Sequence, residues 1–461
     1  MSPKEVEHNL WQRYPKTAGF MDDLIRQLSD GYDFSAKLQD RLRSETGTRL
    51  ADWLDYIILR GNDQVDEQLL QLGFSQLEGE PENGYRAYSH AGAVFPEILL
   101  KSGSAAEAQV EGAALKTESV AAFLAAHDFS AEIEGTPFSP CRRSRLPVNN
   151  GSELWVVERR GYRGFEPIER SPAYTHSYLL WYERWLSRPR KFAAVEEGLK
   201  VTQKLAEEMT AELETPQACW LVFAAERRYW EMHNRAGRIQ KQRQDALGLG
   251  WANHDHHTFR SSRKAFPGLI KILETLGFIK REKFYAGEEA GWGAQVLEQP
   301  QCNLVVFADV DLSPEEVNKD FTRETLPDTQ KPGTVELWSR LHGESILKAG
   351  LHHLSARFSF EEVTRQLAEE GVSMQAPFSD FSYLKQAFTN GEIWKTDEDH
   401  LRRLLKAGQI TEKEQREFAR KGAVGSHLEN IQRGDGFKGF NQQSVSDIIR
   451  RTDPRRGSAS D

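Results

Sequence analysis

Asp55-Tyr56-Ile57-Ile58-Leu59-Arg60 and Asp255-His256-His257-Thr258-Phe259-Arg260 read as one strand written twice. Both open on aspartate and close on arginine. Each runs into a helical stretch that stops at the same turn, Leu72-Gly73-Phe74 in the first half and Leu276-Gly277-Phe278 in the second. A third pair closes each half, Gly151-Ser152-Glu153-Leu154-Trp155 against Gly425-Ser426-His427-Leu428-Glu429. In this alignment the second copy carries His256 and Glu429 where the first has Tyr56 and Trp155. Self-similarity on this scale marks a duplicated supersecondary unit. Metal-ligand side chains in one copy only put the chemistry in the second half.

Outward from these strands, the pattern predicts an α+β fold of duplicated βαβββ modules forming curved sheets. Residues 1–50 are polar with Phe20, Leu24 and Leu28 at helical spacing, an N-terminal helical segment. Residues 51–171 read as a metal-less module pair. In it, Tyr85-Arg86-Ala87-Tyr88 and Phe95 to Leu100 are strands, and Ser119 to Ala126 is a helix. Residues 172–247 show amphipathic helical periodicity and form a helical insertion between the halves. Residues 248–452 repeat the module pair with the ligands. Within it, Ser313 before Pro314 reads as the N-cap of a helix. Lys385 to Lys421 reads as a charged helical excursion on the surface, and 453–461 as a disordered tail.

A chain of 461 residues can bury several cores. Its 39% hydrophobic and 28% charged residues are those of an ordinary globular protein. A net charge of −9 opposes a nucleic-acid-binding role, since such proteins carry a basic face. The short clusters Arg142-Arg143-Ser144-Arg145, Arg450-Arg451 and Arg455-Arg456 read as solvated loops. No apolar run nears the ~20 residues of a membrane helix, so no membrane partner is expected. The N-terminus lacks the apolar core of a signal peptide, and Cys141, Cys219 and Cys302 show neither disulfide nor zinc spacing. The expectation is a cytoplasmic protein.

Side chains two apart on a strand share a face. His256, Thr258 and Arg260 therefore point together, with His254 on the same side. On a second strand His353, Ser355 and Arg357 do so, and on a third Glu429, Ile431 and Arg433. Each strand offers one metal-capable group and one arginine. One curved sheet holding all three would let His256, His353 and Glu429 converge on one ion. Two imidazoles and a carboxylate suit non-haem iron(II), Fe(2+), and leave positions for substrate and O₂; Mn, Ni and Zn accept the same donors. His352 competes with His353, because a one-residue slip exchanges the faces. Arg260 offers a fork for a substrate carboxylate. Arg60 at the matching place in the metal-less half leaves a structural role open for it.

These residues resemble the vicinal oxygen chelate superfamily, whose paired βαβββ modules close a cup around a metal. The closer likeness is to the 2-oxoadipate dioxygenase/decarboxylase (hydroxyglutarate synthase) family over roughly residues 250–455. Its Asp-His-x-x-x-Arg motif is matched by Asp255-His256-His257-Thr258-Phe259-Arg260. Its second motif is similar to His352-His353-Leu354-Ser355, with Ser for Thr and His for Asn, and its Glu-x-x-x-Arg motif to Glu429 through Arg433. The resemblance implies an iron(II) enzyme, with His256, His353 and Glu429 as ligands and a small-molecule 2-oxo acid and O₂ as its partners. It further implies oxidative decarboxylation, with Arg260 as the catalytic clamp on a carboxylate and Ser355 and Arg433 beside the substrate. A glyoxalase-like isomerase or lyase, and a non-catalytic small-ligand-binding protein, are the competing readings.

Overall fold

Two curved, unclosed sheets organise the chain, of seven strands in the first half and nine in the second. The computed structural model describes residues 11–78, 84–148, 153–288, 290–441 and 452–455. Helices α1 (Pro15–Gly31) and α2 (Asp33–Arg41) lead in. Leu24 and Leu28 of α1 are buried in the first core and Phe20 packs at its margin. The first module comprises β1 (Leu54–Gly61), α3 (Asp63–Gln71), β2 (Ser75–Gln76), β3 (Tyr85–Ser89) and β4 (Glu97–Ser102). β4 returns parallel to β1, as a crossover through a helix requires. The second module comprises β5 (Gln109–Lys116), α4 (Val120–Ala126), β6 (Cys141–Arg145) and β7 (Glu153–Arg159). Its missing strand survives as the single bridge Glu134–Arg143.

Four helices follow: α5 (Pro172–Leu186), α6 (Val195–Leu213), α7 (Thr215–Glu231) and α8 (Arg235–Asp245). Ser171 caps α5 ahead of Pro172. Trp185, Leu213, Phe223 and Trp230 of this insertion share one core with Phe259 and Phe266 of the second half. The insertion is thus a wall of that half.

The third module runs β8 (His254–Arg260), α9 (Phe266–Thr275), β9 (Ile279–Tyr285), β10 (Trp292–Gln299) and β11 (Leu304–Asp311). After α10 (Thr334–His342) comes the fourth: β12 (His353–Arg357), α11 (Phe360–Glu369), β13 (Ser379–Phe381), β14 (Leu384–Phe388) and β15 (Glu392–Trp394). Helices α12 (Glu398–Lys406) and α13 (Glu412–Lys421) precede its last strand, β16 (Ala423–Arg433). β11 lies parallel to β8, β16 parallel to β12, and β8 antiparallel to β12.

The repeat holds at single-residue register. Tyr56 and Trp155 both pair with Ala114, and His256 and Glu429 both pair with Ser355. Ile58 pairs with Gly112 where Thr258 pairs with His353, so Gly112 stands in the place of His353. The first cup lacks all three ligands and is packed with apolar groups, Phe165 meeting Tyr56 edge-on at 5.4 Å. Gly73 and Gly277, at φ +89° and +83°, end α3 and α9 in the left-handed conformation that favours glycine. Gly151 and Ser152 of the closing repeat lie outside the described residues.

The pairing of β1 with β5 shifts register beside Asp55, and that of β8 with β12 beside Asp255. Such a bulge re-aims the side chains around it. Asp55 thereby meets Arg159 at 2.7 Å and Asp255 meets Arg433 at 2.8 Å, the same bond in both halves.

Five expectations need correction. His254 does not share the face of His256, because the bulge interrupts the alternation; its ring packs 5.6 Å from His257 on the far side. Ser313 caps no helix: its amide donates to Glu316, whose carboxylate binds the buried Arg263. Arg142, Arg143 and Arg145 lie on β6 and not in a loop, with Arg143 paired to Glu134 at 2.7 Å and to Glu166 at 2.9 Å. Lys385 belongs to β14, so the surface excursion begins only with α12 and α13. Residues 453–455 are held in place, Arg455 reaching Glu414 at 3.0 Å; 456–461, like Arg450 and Arg451, lie outside the described residues.

Replacing Arg159 by methionine strands a largely buried carboxylate and should cost about 3 kcal/mol of stability in urea unfolding. Arg60→Ala removes an exposed partner of Glu111 and should leave the midpoint unchanged. Equal midpoints for the two variants would refute the structural role of the Asp55–Arg159 bond.

Candidate metal centre

Three neighbouring strands deliver the three predicted ligands to one point. His256 comes from β8, His353 from the start of β12 and Glu429 from β16. Glu429 Oε2 lies 3.0 Å from His256 Nε2 and 3.2 Å from His353 Nε2. All three donor atoms lie within 4.8 Å of one another, and all three residues are buried. His352 points to the other face, its ring 5.5 Å from Trp338 and 5.4 Å from His427.

Each ligand is also gripped at its outer atom. His256 Nδ1 donates to Asp255 Oδ1 at 3.2 Å, leaving Nε2 free to face inward. Asp255 in turn accepts two bonds from Arg433, both 2.8 Å, and one from Arg357 at 3.2 Å. His353 Nδ1 shares a hydrogen bond of 3.0 Å with His352 Nδ1. Glu429 Oε1 accepts from Gln386 at 2.8 Å, which leaves Oε2 for a cation. Thr258 Oγ1 sits 2.8 Å from His353 Nε2 and would yield that nitrogen to a metal.

The charges follow from this arrangement. Burial opposes a proton on His256, but Glu429 and Asp255 outweigh it and push its pKa up to about 9. Burial lowers that of His353, with Glu429 partly offsetting it. Burial favours the neutral form of Glu429, yet the two imidazoles hold its carboxyl well below the usual range. Two carboxylates around one imidazole pair are a place for positive charge, and a divalent cation would take it by displacing the His256 proton. Donor type, burial and the outer-atom bonds all fit a bound metal ion.

A cavity of about 60 Å³ opens onto the three ligands. Phe284, Trp292, Phe307, Phe378, Phe388 and Phe440 line it. Phe307 and Phe440 stand against the His256 ring at 5.0 and 5.1 Å. The polar exceptions among its lining are Thr258, Gln386, Asp309 and Asn441. Burial raises Asp309 to a pKa of about 7, against the pull of Arg260 and His256.

The remaining predicted residues fall in different places. Ser355 lies between His256 and Glu429 in the sheet, its buried hydroxyl without a hydrogen-bond partner among the described residues. Arg260 is buried beyond the cavity lining, 3.8 Å from Asp309 and bonded to Thr452 Oγ1 at 3.0 Å. Arg433, expected beside the substrate, is engaged by Asp255 and by the carbonyls of Phe437 and Gly439, which makes it a brace for the site. Sequence reasoning missed Gln386 and Asp309. The alternation Leu384, Gln386, Phe388 and the lone Asp309 after the apolar Leu304 to Ala308 were the available signals.

No protein-family profile and no curated protein matches the sequence. Among solved structures, the chain is similar to a protein of Shewanella frigidimarina named as a hydrolase, at 15% identity and TM-score 0.33, over 48% of this chain and 96% of that one. A mutant 4-hydroxymandelate synthase of Streptomyces coelicolor aligns at 13% identity and TM-score 0.27, over 87% and 97%. An Mn(II)-bound glyoxalase of Novosphingobium aromaticivorans aligns at 11% and 0.19, over 83% and 82%. Superpositions this loose carry no argument about chemistry. The fold rests instead on the strand order itself, which is that of paired βαβββ modules.

Removing an imidazole should abolish binding, so His256→Ala and His353→Ala should each take up no iron(II) while keeping the wild-type circular dichroism. Gln386→Leu removes only the grip on Glu429 and should weaken metal affinity about tenfold to a hundredfold. Full metal content in either histidine variant would remove that residue from the centre.

Proposed function

We propose that this protein is a non-haem iron(II) dioxygenase that decarboxylates a small 2-oxo acid. The observation that carries the reading is the convergence of His256, His353 and Glu429 on one buried point, each held at its outer atom. A bound iron(II) would supply a Lewis-acidic, redox-active centre with open positions for substrate and O₂. Mn, Ni or Zn would fit the same donors.

The protein's part is orientation and exclusion of water. Asp255 and Gln386 fix the ligands, so that little reorganisation accompanies binding. The aromatic lining keeps the reacting groups dry and admits only a small substrate. Arg260 does not line the cavity and would act on a substrate carboxylate through Asp309, which does. The Arg260 Nε has no hydrogen-bond partner among the described residues, and Asp309 lies 3.8 Å away. Ser355, with its unpaired hydroxyl, offers a donor beside the ligands.

One observation favours a second reading. A carboxyl group of near-neutral pKa at the cavity wall, Asp309, suits proton transfer. That is the chemistry of a glyoxalase-like isomerase or lyase, for which O₂ is irrelevant.

Iron-loaded protein should consume O₂ and release CO₂ with a short-chain 2-oxo acid, and lose turnover under anaerobic conditions. Undiminished anaerobic turnover would sink the oxygenase reading in favour of the isomerase. Arg260→Lys keeps the charge without the planar fork and should raise KM about tenfold at unchanged metal content.

A further inference from the structure

A cavity of about 500 Å³ lies away from the metal centre, between the two halves. The duplication explains its charge. Tyr56 pairs with Ala114 as His256 pairs with Ser355, so Lys116 and Arg357, each two residues further on, are equivalent positions of the two halves. Both line this one cavity. Three carboxylates also border it, and each has its own cation. Asp55 is held by Arg159 at 2.7 Å, Glu97 by Arg163, and Glu298 by Lys438 at 3.4 Å.

Lys116 is left over, and Arg357 is only partly engaged. No carboxylate lies within ion-pair distance of the Lys116 ammonium among the described residues. Arg357 reaches Asp255 only through Nε, at 3.2 Å, and Asp255 is already doubly bound by Arg433. The terminal nitrogens of Arg357 make no hydrogen bond among the described residues. Burial first, and then the charge of Arg357, push the Lys116 pKa down to about 8, with Asp55 and Asp52 opposing. Trp220 gives the same cavity an apolar wall.

We propose that this cavity binds a small organic anion, with a carboxylate or phosphate held between Lys116 and Arg357 and its body against Trp220. Arg357 supplies a planar fork and Lys116 a point charge, a pairing suited to either head group. The site is separate from the metal centre, since none of its lining residues is a metal ligand.

Isothermal titration of the whole chain with inorganic phosphate, and separately with glutarate, tests this. At least one probe should bind with a Kd of about 1 mM or tighter. Which one binds tells a phosphate site from a carboxylate site. Lys116→Gln should weaken that binding about tenfold or more and leave iron(II) uptake unchanged, while Lys116→Arg should retain it. His353→Ala should bind the anion as wild type does. The proposal is overturned if neither probe binds, if Lys116→Gln binds normally, or if His353→Ala abolishes binding.

Discussion

The bond between Asp255 and Arg433 ties the metal centre to the fold. It joins the first strand of one module to the last strand of the next, and so sets how far apart His256 and Glu429 can stand. The β-bulge beside Asp255 makes it possible, since regular alternation would send the aspartate and the histidine to opposite faces. Asp255 then serves two partners at once, Arg433 on one side and His256 Nδ1 on the other. A buried ion pair of this kind adds little net stability against an apolar replacement, because desolvation offsets the Coulomb gain. Its effect is on geometry: it fixes the imidazole plane before any metal arrives.

The first half shows that this brace and the metal chemistry are separable. Asp55 and Arg159 keep the bulge and the bond. Tyr56, Gly112 and Trp155 occupy the ligand positions, and apolar packing fills the cup. The brace therefore answers a need of the sheet that exists with or without a metal. The ligands are present in one copy only.

The same contrast explains what is legible in the sequence. Aspartate, arginine and the Gly-Phe turn recur because the fold needs them, so the duplication and its strand pairing can be read directly. His256, His353 and Glu429 stand out as departures from the repeat. The face of His254 escapes such a reading because a bulge leaves no compositional mark and breaks the two-residue period. Ser313 and Pro314 carry a helix-start signal, but Glu316 is taken by the buried Arg263, a tertiary demand invisible in a local window. Gln386 hides at the edge of a charged stretch whose later residues are indeed on surface helices.

Duplication also has an electrostatic consequence at the contact between the halves. A feature present in each copy meets its counterpart across the interface, so a like charge is met by a like charge. Arg357 has Asp255 to share with Arg433, whereas Lys116 lacks such a carboxylate, although Asp55 lies at the equivalent position. Lys116 and the terminal nitrogens of Arg357 are thereby left facing one internal space. The metal centre has the opposite balance, with the carboxylates of Asp255 and Glu429 gathered about two imidazoles. One duplicated frame thus presents a cation-seeking point within its second sheet and an anion-seeking space between its halves.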